Sequence, residues 1–414
     1  MKHLTKMARA GLLAAILLLI TLATTFAADT GEIEVTEGVD GQPVNRIRST
    51  AVAMDGSGNA VVVWAQQEGV YRTVYARRYD RSGASTALIP VETLFGSAIA
   101  GFPDVAMNDS GAFVVAWTQG FTDTDGYSVH AALYSASGTL VRAPFQVNTS
   151  EAGDQWSPSV AIDDNGNSLV SWDQKDSVNT SVEDGIYAQR YDNTGQPAGE
   201  ELLVNTDTAG FQHQVDASMA GDGRAIVVWD SELGDDGNVI SGQRFNSDGS
   251  RNEAEFTIGS GFSTSVGTLR PAVAMDDSGA FVVVWDALID STILLGFHRF
   301  NADGTSGVSG YLTDAGGAWP DIAMDDNGNF AVVWQAADDA AVGTYAALFD
   351  STGTQEGNNF RVNVRTDEYE EFPAVAMSDS DHYIVAWSRY LGPNDGMDGI
   401  YARFFSGPLD NTAP

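Results

Sequence analysis

Residues Pro271–Asp286 read PAVAMDDSGAFVVVWD. A short segment of small and apolar residues runs into Asp-Asp-Ser-Gly, then into an unbroken apolar run that ends in Trp-Asp. The glycine supplies the positive φ that a tight hairpin turn needs, so the stretch predicts two antiparallel strands. FVVVW has no polar side, which predicts a strand covered on both faces. The small residues of Val-Ala-Met suit an inner strand where several sheets converge.

The same text recurs along the chain as STAVAMDGSGNAVVVW, FPDVAMNDSGAFVVAW, SPSVAIDDNGNSLVSW, QVDASMAGDGRAIVVW, WPDIAMDDNGNFAVVW and FPAVAMSDSDHYIVAW. Each copy ends in a tryptophan: Trp64, Trp117, Trp172, Trp229, Trp285, Trp334 and Trp387, spaced by 53, 55, 57, 56, 49 and 53 residues. A second element follows in phase, clearest as IYAQRYDNTG at Ile186–Gly195 and echoed at the end as IYARFFSG. A third reads FQVNT from Phe145, LLVNT from Leu202, FTIG from Phe256 and FRVN from Phe360, with weaker versions near Val91 and Leu312. Each unit therefore predicts four short strands, the last one alternating and half exposed. No stretch beyond the N-terminal leader has convincing helical periodicity.

Four-stranded units repeated seven times predict an all-β, seven-bladed β-propeller over residues 28–406, because radial closure leaves only short protected edges. The last copy stops after its third strand, while an orphan strand, GEIEVTE at Gly31–Glu37, precedes the first. That strand is expected to complete the last blade. An open β-solenoid array is the competing architecture. The segment 407–414 reads as a tail or linker.

The repeat VAMDxxGxFVVVW followed by IYAQRYDxxG resembles the propeller repeats of bacterial secreted and cell-surface proteins, over nearly all of residues 31–406. The resemblance implies the fold and is silent on activity, since propellers host unrelated functions. WD-repeat propellers are less similar. Trp172-Asp173, Trp229-Asp230 and Trp285-Asp286 match their Trp-Asp pair, but the Gly-His element is absent and the period is too long. Integrin-type propellers bind calcium in a D-x-D-x-D-G loop, and turns such as Asp276-Asp277-Ser278-Gly279 are too short for that role to carry over.

Lys2, Lys6 and Arg9, the apolar run Gly11–Ala23 and the small residues of Thr25-Phe26-Ala27 read as a secretory signal over residues 1–27. The apolar run is short for a membrane span. The expectation is a chain that is secreted or held at the cell surface or periplasm, without stable membrane insertion after cleavage. The whole sequence has 21 Lys and Arg against 56 Asp and Glu, and no cysteine. Removing the three basic residues of the leader leaves 18 against 56, a formal charge of −38. Such a chain repels nucleic acid and anionic membrane surfaces. Its acidity fits either a salty or calcium-containing medium or several carboxylate metal sites. Only one lysine, Lys175, lies beyond the leader.

No complete catalytic or cofactor motif is present. His130, His213, His298 and His382 fall in four repeats at unlike positions, without metal-ligand spacing. No G-x-S-x-G elbow and no phosphate-binding glycine loop occurs. Function is therefore expected on the longer loops that differ between copies. Two features stand out there. Phe102, Trp156, Phe211, Trp319 and Phe372 fall just before the first strands, where exposed rings would stack on sugars or else wedge between blades. Asp-Gly loops before the third strands offer oxygen ligands for calcium at Asp123, Asp125, Asp184, Asp236, Asp395 and Asp398, or are ordinary polar turns. The expectation is a monomeric, non-enzymatic binding or adhesion module for a glycan or an extracellular protein. A secreted polysaccharide hydrolase or lyase is the alternative.

Overall fold

The structure is a computed structural model that describes residues 31–37, 42–43, 50–68, 70–95, 100–120, 126–150, 153–175, 184–208, 210–232, 237–262, 269–289, 292–312, 316–337, 341–378, 382–390 and 397–406. The leader 1–27 and the tail 407–414 lie outside these residues. All regular structure among the described residues is β, with no helix.

The recurring unit is a four-stranded antiparallel sheet. In the third repeat the strands Asp154–Ile162, Ser168–Lys175, Gly185–Tyr191 and Leu202–Leu203 pair in sequence order. The second, fourth and fifth repeats form separate sheets of the same order. The sixth and seventh are joined into one eight-stranded sheet by a parallel bridge between Val342 and Tyr369. Ile33–Glu34 pairs antiparallel with Met397–Ser406, in the register Ile33↔Ala402 and Glu34↔Tyr401. The orphan strand thus lies against the last sheet at the place left vacant by its missing fourth strand.

The hairpin turns explain why aspartate recurs in them. In the first, Asp55 Oδ1 accepts the N–H groups of Ser57 at 3.0 Å and Asn59 at 2.8 Å, and Gly58 takes a φ of 83°. These carboxylates are spent on their own turn, as expected of structural aspartates.

The second strand of each unit is buried throughout its apolar run. Val61, Val62, Val63 and Trp64 are all 0 % exposed, and the other six tryptophans of the series are buried as well. Trp285 lies against Gly296, where an added Cβ would come within 2.5 Å of the indole. Each of seven core clusters combines two neighbouring repeats. Trp172, for example, packs with Val114, Ala131 and Val147 of the second repeat. One cluster joins the seventh repeat to the first, with Val52 and Trp64 against Ala374, Ile384 and Phe404.

The innermost strands carry a recurrent irregularity. Register shifts fall between Gly101/Asp104, Trp156/Ser159, His213/Asp216, Ala318/Asp321 and Glu371/Ala374. At these bulges Phe102, Ser157, Gln214, Trp319 and Phe372 take φ of 50°, 47°, 57°, 54° and 54°. Non-glycine residues there are strained by about 1–3 kcal/mol and need outside support. Support comes from the residue after the tryptophan of the preceding repeat. Ser157 N–H donates to Thr118 Oγ1 at 3.1 Å, Gln214 N–H to Asp173 Oδ2 at 2.9 Å and Phe372 N–H to Gln335 Oε1 at 2.9 Å. Trp319 N–H reaches Asp286 Oδ2 at 3.4 Å, and Leu269 N–H donates to Asp230 Oδ2 at 2.8 Å. The Trp-Asp pairs are therefore clasps between repeats.

Candidate active site

The five aromatics singled out above do not precede the first strands, as the sequence suggested. They lie within the first strands, because the bulge extends pairing beyond the Val-Ala-Met core.

Three of them meet. Phe102, Trp156 and Phe211 line one cavity of about 430 Å³ between the third and fourth repeats. Trp156 lies edge-on to Phe102, with centroids 5.8 Å apart, and only 3.8 Å from the ring of Tyr127. Phe211 is 48 % exposed. The other two, Trp319 and Phe372, contact each other edge-to-face at 4.7 Å and line a second cavity at the convergence of the inner strands, which Phe102 also borders.

The first cavity also gathers charge. Lys175 ends the second strand of the third repeat, and its Nζ is 5.1 Å from the Phe211 ring centroid. Asp173, Asp184, His213 and Glu232 line the same space. His213 pairs in register with Asp230, and Phe211 with Glu232. His213 Nε2 is consequently 3.5 Å from Asp230 Oδ2 and 3.9 Å from Glu232 Oε2. The contact to Asp230 is too long for a strong hydrogen bond. Burial pushes the Asp230 carboxyl up to about 7, against the opposing hydrogen bonds from Leu269 N–H and Asn238. Burial likewise holds the His213 imidazole below its ordinary value, despite the attraction of Glu232. Desolvation outweighs the hydrogen bonds to Asp230, which Glu232 and Asp286 also push up, and the Glu232 attraction on His213, so burial disfavours the charged form of both groups. The Nε2 of His213 is buried without a hydrogen-bond partner among the described residues, and His213 lines the cavity. An imidazole so placed is a candidate base for proton transfer.

Of the calcium candidates, Asp184 is brought to this cavity. Asp123, Asp125, Asp236 and Asp395 lie outside the described residues, as does the side chain of Asp398. Among the described residues no group of three or more His, Asp or Glu is arranged to hold a metal ion. Sequence reasoning passed over His213, Lys175 and Glu232. The lysine and the glutamate each stand three residues after a repeat tryptophan, where the second strand emerges on the variable-loop face. That shared phase, and the singularity of Lys175, were the available signals.

No protein-family model and no curated protein sequence matches the chain. Solved structures share its fold. A protein of unknown function from Dyadobacter fermentans superposes with a TM-score of 0.56 at 10 % identity, covering 91 % of this chain and 100 % of its own. An ulvan lyase of polysaccharide lyase family PL25, bound to -[GlcA(1-4)Rha3S]-, superposes with a TM-score of 0.56 at 12 % identity, covering 89 % and 94 %. The polysaccharide lyase Uly1 gives 0.53 at 10 % identity, covering 89 % and 93 %. At these identities the likeness is one of fold, which is propeller-like. The expectation of a non-enzymatic module is nevertheless corrected. Two of the solved structures that share this fold over 89 % of the chain are polysaccharide lyases, and a missing sequence motif is no ground for setting catalysis aside. Among the described residues no helix is long and apolar enough to cross a membrane.

Proposed function

We propose that this chain is an exported, seven-bladed propeller enzyme that cleaves a uronate-containing polysaccharide by β-elimination in the cleft between the third and fourth blades. One observation carries the reading: the half-buried His213, whose Nε2 makes no hydrogen bond among the described residues, shares a cavity with Lys175, the sole lysine beyond the leader, and with three aromatic rings. Seven core clusters that pass from repeat to repeat and back to the first, and the pairing of Ile33–Glu34 with the last sheet, support the closed ring.

In the proposed reaction the Lys175 ammonium faces the uronate carboxylate and stabilises the charge that develops when the α proton leaves. His213 Nε2 takes that proton. The C–H electron pair forms the carbon–carbon double bond, and the glycosidic C–O bond to the leaving sugar breaks. The imidazolium returns the proton to the leaving oxygen, so the histidine ends as it began. Asp230 and Glu232 stabilise the transient imidazolium. Trp156, Phe102 and Phe211 offer ring faces to the sugars.

The test is incubation of the chain from residue 28 onward with a panel of uronate polysaccharides, following the ultraviolet absorbance of the unsaturated uronate. The expected result is product formation that His213→Ala abolishes. New reducing ends without unsaturation would replace elimination by hydrolysis. No cleavage of any acidic glycan would overturn the reading.

A further inference from the structure

The second cavity, of about 130 Å³, opens where the inner strands converge. Phe102 and Ser157 line both it and the catalytic cleft, so the two are continuous. Its rim carries the Trp319–Phe372 pair, and the Arg270 guanidinium stacks 3.9 Å from the Trp319 ring. Arg270 is itself occupied by Asp286, at 2.9 Å. Below the rim, Asp104, Asp216 and Asp321 stand at equivalent positions of alternate repeats. One oxygen of each accepts an amide of the following repeat, from Val160 at 2.7 Å, Val273 at 2.7 Å and Val375 at 2.8 Å, and the other oxygen of Asp216 also accepts from Ser159 Oγ at 2.9 Å. Apart from Arg270 at the rim, no lysine or arginine lines this space among the described residues. Burial and then the neighbouring Asp216 push Asp104 up to about 7, so the site already resists its own charge.

We propose that this mouth is a subsite for an uncharged, hydroxyl-rich sugar adjoining the uronate in the cleft, so that the preferred polymer alternates acidic and neutral units. The inference rests on the elimination reading of the cleft and names the composition of its substrate. Flat aromatic faces beside carboxylate oxygens suit a pyranose, whose hydroxyls donate to those oxygens. A uronate in the same place would bring a like charge against three carboxylates in a desolvated site.

Binding to two probes of matched length separates this inference from the chemistry: polyglucuronate and an alternating glucuronate–glucose polymer, titrated calorimetrically alongside the turnover assay. The expected result is a preference of about tenfold or more for the alternating polymer. Asp321→Asn, which keeps an acceptor for Val375, should narrow that preference, and Trp319→Leu should weaken binding of the alternating polymer selectively. Equal affinities, or a preference untouched by both variants, overturns the inference whether or not product forms. A preserved preference without unsaturated product sinks the elimination reading and leaves the mouth as a neutral-sugar subsite. Failure to bind either polymer overturns both.

Discussion

Arg389 and Glu32 lie 357 positions apart in sequence, and Arg389 Nη2 donates to Glu32 Oε2 at 2.7 Å. The guanidinium is 2 % exposed and also meets Glu370 at 2.8 Å and Glu368 at 3.0 Å. It stacks 3.6 Å from the Tyr401 ring. The segment leading into the N-terminal strand is thus held by a charge inside the last sheet. Arg389→Ala leaves Glu370, itself 0 % exposed, without its counter-charge. The expected loss is about 3–5 kcal/mol, read from urea unfolding. Glu32→Gln should cost less, since two carboxylates remain. Deletion of residues 28–37 should expose the edge of Met397–Ser406 and cause concentration-dependent aggregation. A monomeric deletion variant with an unchanged melting temperature contradicts the lock.

Asp173, which is 8 % exposed, receives the amides of Gln214 at 2.9 Å and Val215 at 3.1 Å. Asp173→Ala leaves two donors without an acceptor at a strained bulge, at about 1–3 kcal/mol each. Gln214→Gly should recover part of that loss by relieving the positive φ. Equal melting curves for the wild type and Asp173→Ala would show that the bulge needs no clasp.

The pH dependence of stability has a definite sign. Asp104, Asp230 and Glu370 are all raised to about 7, burial being the largest cause in each. The folded chain keeps protons that the unfolded chain releases above its ordinary carboxylate range. Stability from these groups is therefore fully present below that range and is lost as pH rises toward 7. His213, lowered by burial, acts in the opposite sense as pH falls below its ordinary value. Three groups outweigh one, so the melting temperature should fall between about pH 5 and pH 7. Asp230→Asn should flatten that slope, and a melting temperature that rises through this window would contradict the assignment.

Turnover should carry the signature of a buried base. Because the His213 imidazole lies below its ordinary value, the acid limb of the kcat/KM profile should sit below 6.5. His213→Ala should lower kcat by about 10²–10⁴. Lys175→Met should lower kcat and kcat/KM together on acidic substrates, because the charge it stabilises develops in the transition state, while Lys175→Arg retains part of the rate. An acid limb above the ordinary histidine value would point to a different base.

The acidic loops suggest that calcium stabilises the fold. With 18 basic residues against 56 acidic ones beyond residue 27 and no disulfide available, millimolar calcium should raise the melting temperature more than sodium at matched ionic strength. Asp398→Asn should reduce the difference. Coincident curves in the two salts would reduce the acidity to a matter of solubility.

The strands were legible because their residues face a single environment. Phe281–Trp285 is apolar on both sides and buried on both, and the turn at Asp276–Gly279 carries its own glycine. The outer strand Leu140–Gln146 was readable as half exposed and is so. The bulges were passed over: Phe, Ser, Gln and Trp all occupy the positive-φ position, and the proline that follows four of the five, Pro103, Pro158, Pro320 and Pro373, was the available signal. The candidate cleft escaped for a related reason. His213, Lys175 and Glu232 come from two repeats, and their approach depends on bulge register and sheet twist rather than on spacing along the chain. The aromatics were recognisable as a group, yet the structure divides them between two cavities.

The clasp that five of the seven repeats place on the next bears on how such a chain can evolve. Such a unit carries an acceptor after its tryptophan that takes an amide of its neighbour, whereas the first repeat has Ala65 in that place. Duplication or loss of a whole unit therefore regenerates a matched junction on either side. A recombination point inside a unit, between bulge and tryptophan, joins a bulge and an acceptor that did not diverge together. The variety of acceptors, Thr118, Asp173, Asp230, Asp286 and Gln335, records that once a unit is in place its chemistry is free to drift, provided an oxygen still reaches its neighbour.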